Sequence, residues 1–90
     1  MAELTNVYEN VLECIGNTPA VRLDRIAGEF QSEVFAKLEF MNPGGSVKDR
    51  IARHIVAQAE ERGDISAGGT IVEATSGNTG LGLAIAAVLK

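Results

Sequence analysis

Cysteine occurs once in this sequence, as Cys14, and tryptophan is absent. A single thiol cannot close an internal disulfide, which fits a reducing cytoplasm. Aromatic residues make up only 4% of the chain, too few for a platform on which nucleic-acid bases stack. Positive charge is also scarce: the formal net charge is −4. That excess of acid argues against nucleic acid as a partner and gives no attraction to anionic membranes. The longest apolar run, residues 81–89, is too short to span a bilayer. Met1-Ala2-Glu3-Leu4 shows no basic segment followed by an apolar one, so no secretory signal is visible. Repeats and low-complexity linkers are missing too. Ninety residues allow one small domain or part of one.

What is present reads as an α/β pattern. Residues 1–8 form a polar arm. Val11, Leu12 and Ile15 make a short helical face, with Asn6 as its cap. Gly16-Asn17-Thr18-Pro19 turns the chain, residues 20–23 alternate as a short strand, and residues 24–32 read as loop. Residues 33–40 alternate again and predict a second strand. Ser46 and Asp49, three apart, suit a capping box at a helix start. Val47, Ile51, Ile55 and Ala59 continue as a helical stripe, widened by Ala52 and Val56, and Gly63 stops it. Residues 70–75 predict a further strand. Strand, helix, strand in this order implies a parallel βαβ unit with a right-handed crossover. The final helix, residues 81–89, is apolar all round and should be buried on most sides. Two helices cannot cover both faces of a parallel sheet and be covered themselves. The chain is therefore expected to be an incomplete portion of a larger fold, with apolar surface left unpartnered.

Two stretches carry chemistry. In Asn42-Pro43-Gly44-Gly45-Ser46-Val47-Lys48-Asp49-Arg50, a double glycine runs into a lysine on the first turn of a helix. The positive end of a helix disfavours an ammonium ion and favours the nucleophilic amine. Glycines would let backbone approach a flat ligand closely. Lys48 is thus a candidate Schiff-base residue, against the alternative of a surface lysine beside a cap. In Thr75-Ser76-Gly77-Asn78-Thr79-Gly80, a strand end opens into a helix. Ligands bind at such crevices in α/β folds, and helix-start N–H groups take anions. The alternative is a tight turn with no ligand. Glycines at 77, 80 and 82 do not follow the dinucleotide order, and Lys48 lacks the ending of a nucleotide P-loop. His54 is read as an exposed or packed helix residue, Cys14 as a packing residue, and Asp49 with Arg50 as a solvated pair.

Three motifs in register, Ile15-Gly16-Asn17-Thr18-Pro19, Pro43 to Arg50, and Thr75 to Gly80, resemble the opening of the cysteine synthase and cystathionine β-synthase family. The resemblance covers residues 7–90 and departs at Ala20, where a larger aliphatic residue is usual. It implies a fold type II enzyme dependent on pyridoxal 5′-phosphate, with a parallel three-layer sandwich of which this chain is the βαβα opening. It implies that Lys48 carries the cofactor and later moves protons at the substrate α-carbon. Asn78 then bonds the cofactor's 3′-hydroxyl, and Thr75, Ser76, Gly77 and Thr79 form the loop for the substrate α-carboxylate. The implied reaction is β-replacement on an activated serine by a sulfur nucleophile: sulfide gives cysteine, homocysteine gives cystathionine. Threonine dehydratase-like relatives are a more distant alternative. A homodimer in the cytoplasm is implied for the intact protein. Residues 1–35 would pack on a carboxyl-terminal domain, and residues 36–90 would begin the cofactor-binding domain. The family's phosphate cup and the residue facing the pyridine nitrogen come later than residue 90. Weak cofactor binding and no turnover are therefore expected of this chain alone. A non-catalytic truncated product and a small anion-binding module are the competing readings.

Overall fold

Chain order in the computed structural model, which describes residues 5–90, begins with a 3₁₀ turn at Val11–Cys14. Residues 1–4, which hold the start of the expected arm and the segment read for a secretory signal, lie outside the described residues. The cap of that turn is Asn10, whose Oδ1 accepts the Leu12 N–H at 2.9 Å. Asn6, the expected cap, instead has φ +59°.

Strand β1 (Ala20–Arg22) pairs antiparallel with β2 (Phe35–Lys37), Val21 opposite Ala36. Between them lies a single helical turn, α1 (Asp24–Ala27), where loop was expected. β2 is shorter than the alternation predicts, because Glu39–Met41 winds into a 3₁₀ turn. Helix α2 (Lys48–Glu61) and helix α3 (Asn78–Leu89) complete the fold. Gly63, at φ +78°, ends the α2 segment as expected. α3 begins three residues before the apolar run, at Asn78 rather than Leu81.

The expected strand at 70–75 does not form. These residues are exposed and make no backbone–backbone hydrogen bond among the described residues, where no strand lies alongside to complete a ladder. Among the described residues the only sheet is the two-stranded antiparallel β1–β2 pair, so the parallel βαβ crossover is absent there. This corrects the expectation of parallel pairing within the chain.

The core is small: Leu12, Ile15, Ala52, Val56, Leu83 and Ala86, with Ile85 against it. α2 buries the Ala52–Val56 side, while Val47, Ile51 and Ile55 face outward. α3 buries one face instead of most of its surface, leaving Val88 84% exposed. Both corrections have one cause. The helices pack on each other through small residues, and no sheet layer covers their other sides. The Cα radius of gyration is 17.0 Å, against about 12 Å for a compact domain of this length. The expected unpartnered apolar surface is thus present, including Val72, Phe40 and Phe30. Among the described residues no helix is long and apolar enough to cross a membrane.

Candidate functional site

The helices run side by side in the same direction. At one end a Cβ at Gly82 would lie 3.2 Å from the Lys48 carbonyl oxygen and 2.9 Å from the Ala52 Cβ. At the other end Lys90 Nζ meets Glu60 Oε1 at 2.6 Å. Both helix starts therefore sit at the same end of the pair, with Lys48 the first residue of α2 and Asn78 the first of α3. Gly82 lies one turn into α3, so Asn78 stands about 6 Å nearer that end than Gly82. The close approach needs glycine at 82, because any side chain there would strike α2.

The loop before Lys48 is tied from several directions. Buried Asn42 accepts the Gly16 N–H at 2.9 Å and donates to the carbonyls of Glu39 and Ser46, at 2.9 and 3.0 Å. Its own carbonyl takes the Gly45 N–H at 2.8 Å. Ser46 Oγ accepts the Lys48 N–H at 3.1 Å, so Ser46 does serve the helix start. Asp49 does not complete a capping box. Its Oδ2 accepts the Gly44 N–H at 2.5 Å, and the residue is fully buried. A Cβ at Gly44 would overlap that carboxylate.

Arg50 corrects the expectation of a solvated Asp49–Arg50 pair. Its guanidinium donates to Glu39 Oε1 at 2.5 Å and Oε2 at 3.1 Å. It also reaches the Gly16 carbonyl and Thr18 Oγ1, both at 3.1 Å. Thr18 in turn donates to Glu39. The Arg50 hydrogen bonds, then that of Thr18, pull the Glu39 carboxyl down to about 2, and partial desolvation opposes them. Arg50 is shifted up for the reciprocal reason, its hydrogen bonds to Glu39. The first two sequence motifs are thereby one physical unit. Glu39 was not foreseen as part of it, nor were the bonds that Asn42 and Thr18 make across it. Partners this far apart in the chain leave no local signal.

The second wall is held differently. Thr75 Oγ1 accepts the N–H groups of Gly77 and Gly80, at 3.2 and 3.1 Å. Thr75 Cγ2 also fills the space where a Cβ at Gly80 would stand, at 2.6 Å. Ser76, Gly77 and Asn78 are exposed and Thr79 is half-buried. The helix-start N–H groups of Asn78 and Thr79 make no backbone or side-chain hydrogen bond among the described residues.

Of the three lysines in the chain, two are engaged. Lys37 Nζ donates to the Thr18 carbonyl at 2.5 Å, and Lys90 pairs with Glu60. Lys48 is exposed, and its amine has no protein partner among the described residues. A cavity of about 330 Å³ lies nearby, between the extended segment and the helices. It is lined by Val56, Ile65, Ile71 and Leu83, and borders the site only at Thr75 and Gly80. That space follows from the unpaired 70–75 segment and does not include Lys48. His54 is exposed on α2, and Cys14 is half-buried.

Residues 11–90 match the family described as pyridoxal-phosphate dependent enzyme. Cysteine synthase B of Pseudomonas aeruginosa is 53% identical over 97% of this chain, which spans 29% of that relative. A cystathionine beta-synthase of Dictyostelium discoideum is 49% identical over 93% of the chain and 17% of the relative. A crystal structure of a hydrogen sulfide-producing enzyme from Fusobacterium nucleatum superposes with a TM-score of 0.86 at 45% identity, covering 96% of this chain and 28% of the other.

Proposed function

This chain belongs to the pyridoxal-phosphate dependent enzymes, and from that premise we propose that it is the amino-terminal part of a β-replacement enzyme of the cysteine synthase type. The observation that carries the reading is the free Lys48 amine at the start of α2, at the same end as the start of α3. The net reaction would exchange the β-substituent of an activated serine, an O-acetyl group, for sulfur from sulfide. Cystathionine β-synthase, with serine and homocysteine, is the second reading, since relatives of both names match.

The residues present fit one side of the cofactor. A Cβ at Gly45 or at Gly77 would meet no protein atom within 4 Å, so the backbone beside each helix start is open to a flat ring. Lys48 would hold the group through its amine, and the Asn78 amide would bond its ring hydroxyl. Pyridoxal phosphate, when bound, supplies an electron sink for charge developing at the substrate α-carbon. Lys48, released from holding it, would take the proton from that carbon. Thr75, Ser76, Gly77 and Thr79 would orient the substrate carboxylate, with the unpaired N–H groups of Asn78 and Thr79 as donors.

The parallel three-layer sandwich belongs, on this reading, to the intact protein. Residues 70–75 would enter its sheet once a neighbouring strand is supplied, and α2 and α3 would gain cover on their outward faces. Residues 1–35 would pack on a second domain and residues 36–90 would open the cofactor domain. A homodimer in the cytoplasm completes the reading, the latter fitting the lone Cys14.

Incubating the chain with pyridoxal phosphate, reducing with borohydride and mapping peptides by mass tests the lysine. The adduct is expected on Lys48 in preference to Lys37 and Lys90, and Lys48→Ala should abolish it at that peptide. Equal labelling of all three lysines would overturn the assignment. No cysteine formation is expected from this chain alone, and a measurable rate would contradict that.

A further inference from the structure

Asp49 is the largest fully buried side chain of the described residues, and it is a carboxyl. Burying a carboxylate costs several kcal/mol unless its oxygens are satisfied. Here only one oxygen is: Oδ2 takes the Gly44 N–H, while Oδ1 is buried with no partner among the described residues. An apolar residue of similar volume would suit the packing better, so burial alone does not account for an aspartate at this place.

What the carboxylate does is close a loop. The bond from Gly44 to Asp49 spans Gly45, Ser46, Val47 and Lys48, and so encloses the lysine's own backbone. Gly44 has no room for a side chain against the carboxylate, which makes the contact close and single-valued. On the other side α3 presses at Gly82, whose Cβ position lies 3.2 Å from the Lys48 carbonyl and 3.4 Å from the Asp49 Cα. Lys48 is therefore gripped between a helix crossing and a carboxylate tie. Gly45, at φ +84° with open space beside it, is the permissive joint of the loop, restrained on one side by Asn42 and on the other by this tie.

We infer that Asp49 is a positioning residue for Lys48, which holds the glycine loop against the first turn of α2 and so fixes where the lysine amine is presented. The inference rests on Lys48 being the cofactor lysine. Asp49 touches neither substrate nor cofactor in this role and acts only through the loop.

The test uses the whole chain and the same borohydride trapping with pyridoxal phosphate, read as the ratio of Lys48 to Lys90 labelling. Loss of fold alone would expose all lysines alike. Circular dichroism therefore accompanies each variant. In Asp49→Ala with helicity kept, the initial rate of Lys48 labelling should fall on the order of tenfold relative to Lys90. Asp49→Asn should keep most of the preference, because its amide oxygen can still accept from Gly44. Gly44→Ala should lose it as Asp49→Ala does. A folded Asp49→Ala chain with undiminished Lys48 preference would overturn the proposal. If Asp49→Ala loses its helices, the other pair decides: preference kept in Asp49→Asn and lost in Gly44→Ala supports the tie, and equal behaviour of the two overturns it. Absence of any Lys48 preference in the unsubstituted chain would instead sink the cofactor-lysine reading.

Discussion

Residues 42–49 and residues 70–77 both lead into the start of a helix, at the same end of the α2–α3 pair, yet they are held by opposite means. The first loop is crossed by hydrogen bonds of the Asn42 side chain to backbone of Gly16, Glu39 and Ser46, and of the Asp49 carboxylate to Gly44, so it has one conformation imposed from several directions. In the second, residues 70–76 make no backbone–backbone bond among the described residues, and the threonine at its end holds the turn through a single hydroxyl. On the proposed reading, the site would hold one group permanently and admit another repeatedly, and it would profit from that division. The permanent group needs a fixed attachment point, because misplacement of a reacting atom is costly in rate. The transient one needs a wall that can give way, drawn from the least stable part of the structure.

Breaking the joint between the two walls should have the largest effect. Gly82→Ala sets a methyl against Ala52 and the Lys48 carbonyl; it should weaken the helix pair by about 1–3 kcal/mol. The readout is faster amide exchange in both α2 and α3, and unchanged protection would mean the crossing is not a tight contact. Next comes the ion pair of the fixed wall. Glu39 is lowered from 4.5 to about 2, chiefly by Arg50. A depressed carboxyl contributes stability above its unfolded value, and that contribution is lost as pH falls. The tie is thus intact above about 4.5 and released toward 2. Following the Glu39 carboxyl carbon by NMR should show this low midpoint, and Arg50→Ala should return it toward the ordinary range. A midpoint that stays put in Arg50→Ala would detach Glu39 from the network.

The loose wall should respond more weakly. Thr75→Val removes the hydroxyl that serves Gly77 and Gly80, for a cost of ~1 kcal/mol at the start of α3. Exchange should quicken at those two amides, with Thr75→Ser restoring them. The smallest effect belongs to Gly77→Ala. No atom beyond its chain neighbours lies within 4 Å of the added methyl. Stability should change by less than about 0.5 kcal/mol, whereas labelling of Lys48 by pyridoxal phosphate should slow if the open space beside Gly77 receives the ring.

The helices were the most legible part of the sequence. The stripe beginning at Val47 and the stop at Gly63 bracket α2 closely, because period and stop signal are both local. Which side of α2 would be buried was not legible. Ala52 and Val56 are buried and Ile51 and Ile55 are not, a choice made by α3 through Gly82. Residues 70–75 alternate like a strand, but a strand is completed by a neighbour, and nothing in its own residues supplies one. Lys48 stood out through its glycines and helix start, and Asn78 through the family resemblance. Their supports did not. Asp49 reads locally as a first-turn acid facing water, and its burial depends on Gly44 folding back over it. Arg50 reads as its ion partner, and only the three-dimensional return of Gly16 and Thr18 shows where its guanidinium goes.

Asn42 carries one more consequence, in the chemistry of ageing. Asparagine deamidates when the backbone nitrogen of the following residue loses its proton and attacks the side-chain amide carbon. Asn42 is followed by Pro43, whose nitrogen has no hydrogen to lose. An aspartate at 42 could not donate to the Glu39 and Ser46 carbonyls, and would set a second carboxylate beside Glu39. The amide on which the fixed wall turns is thus barred from the usual spontaneous route to that lesion. Asn78, followed by Thr79 on the loose wall, has no such protection from its neighbour's type. The wall that the proposed reading needs fixed thus has its central amide shielded from that route.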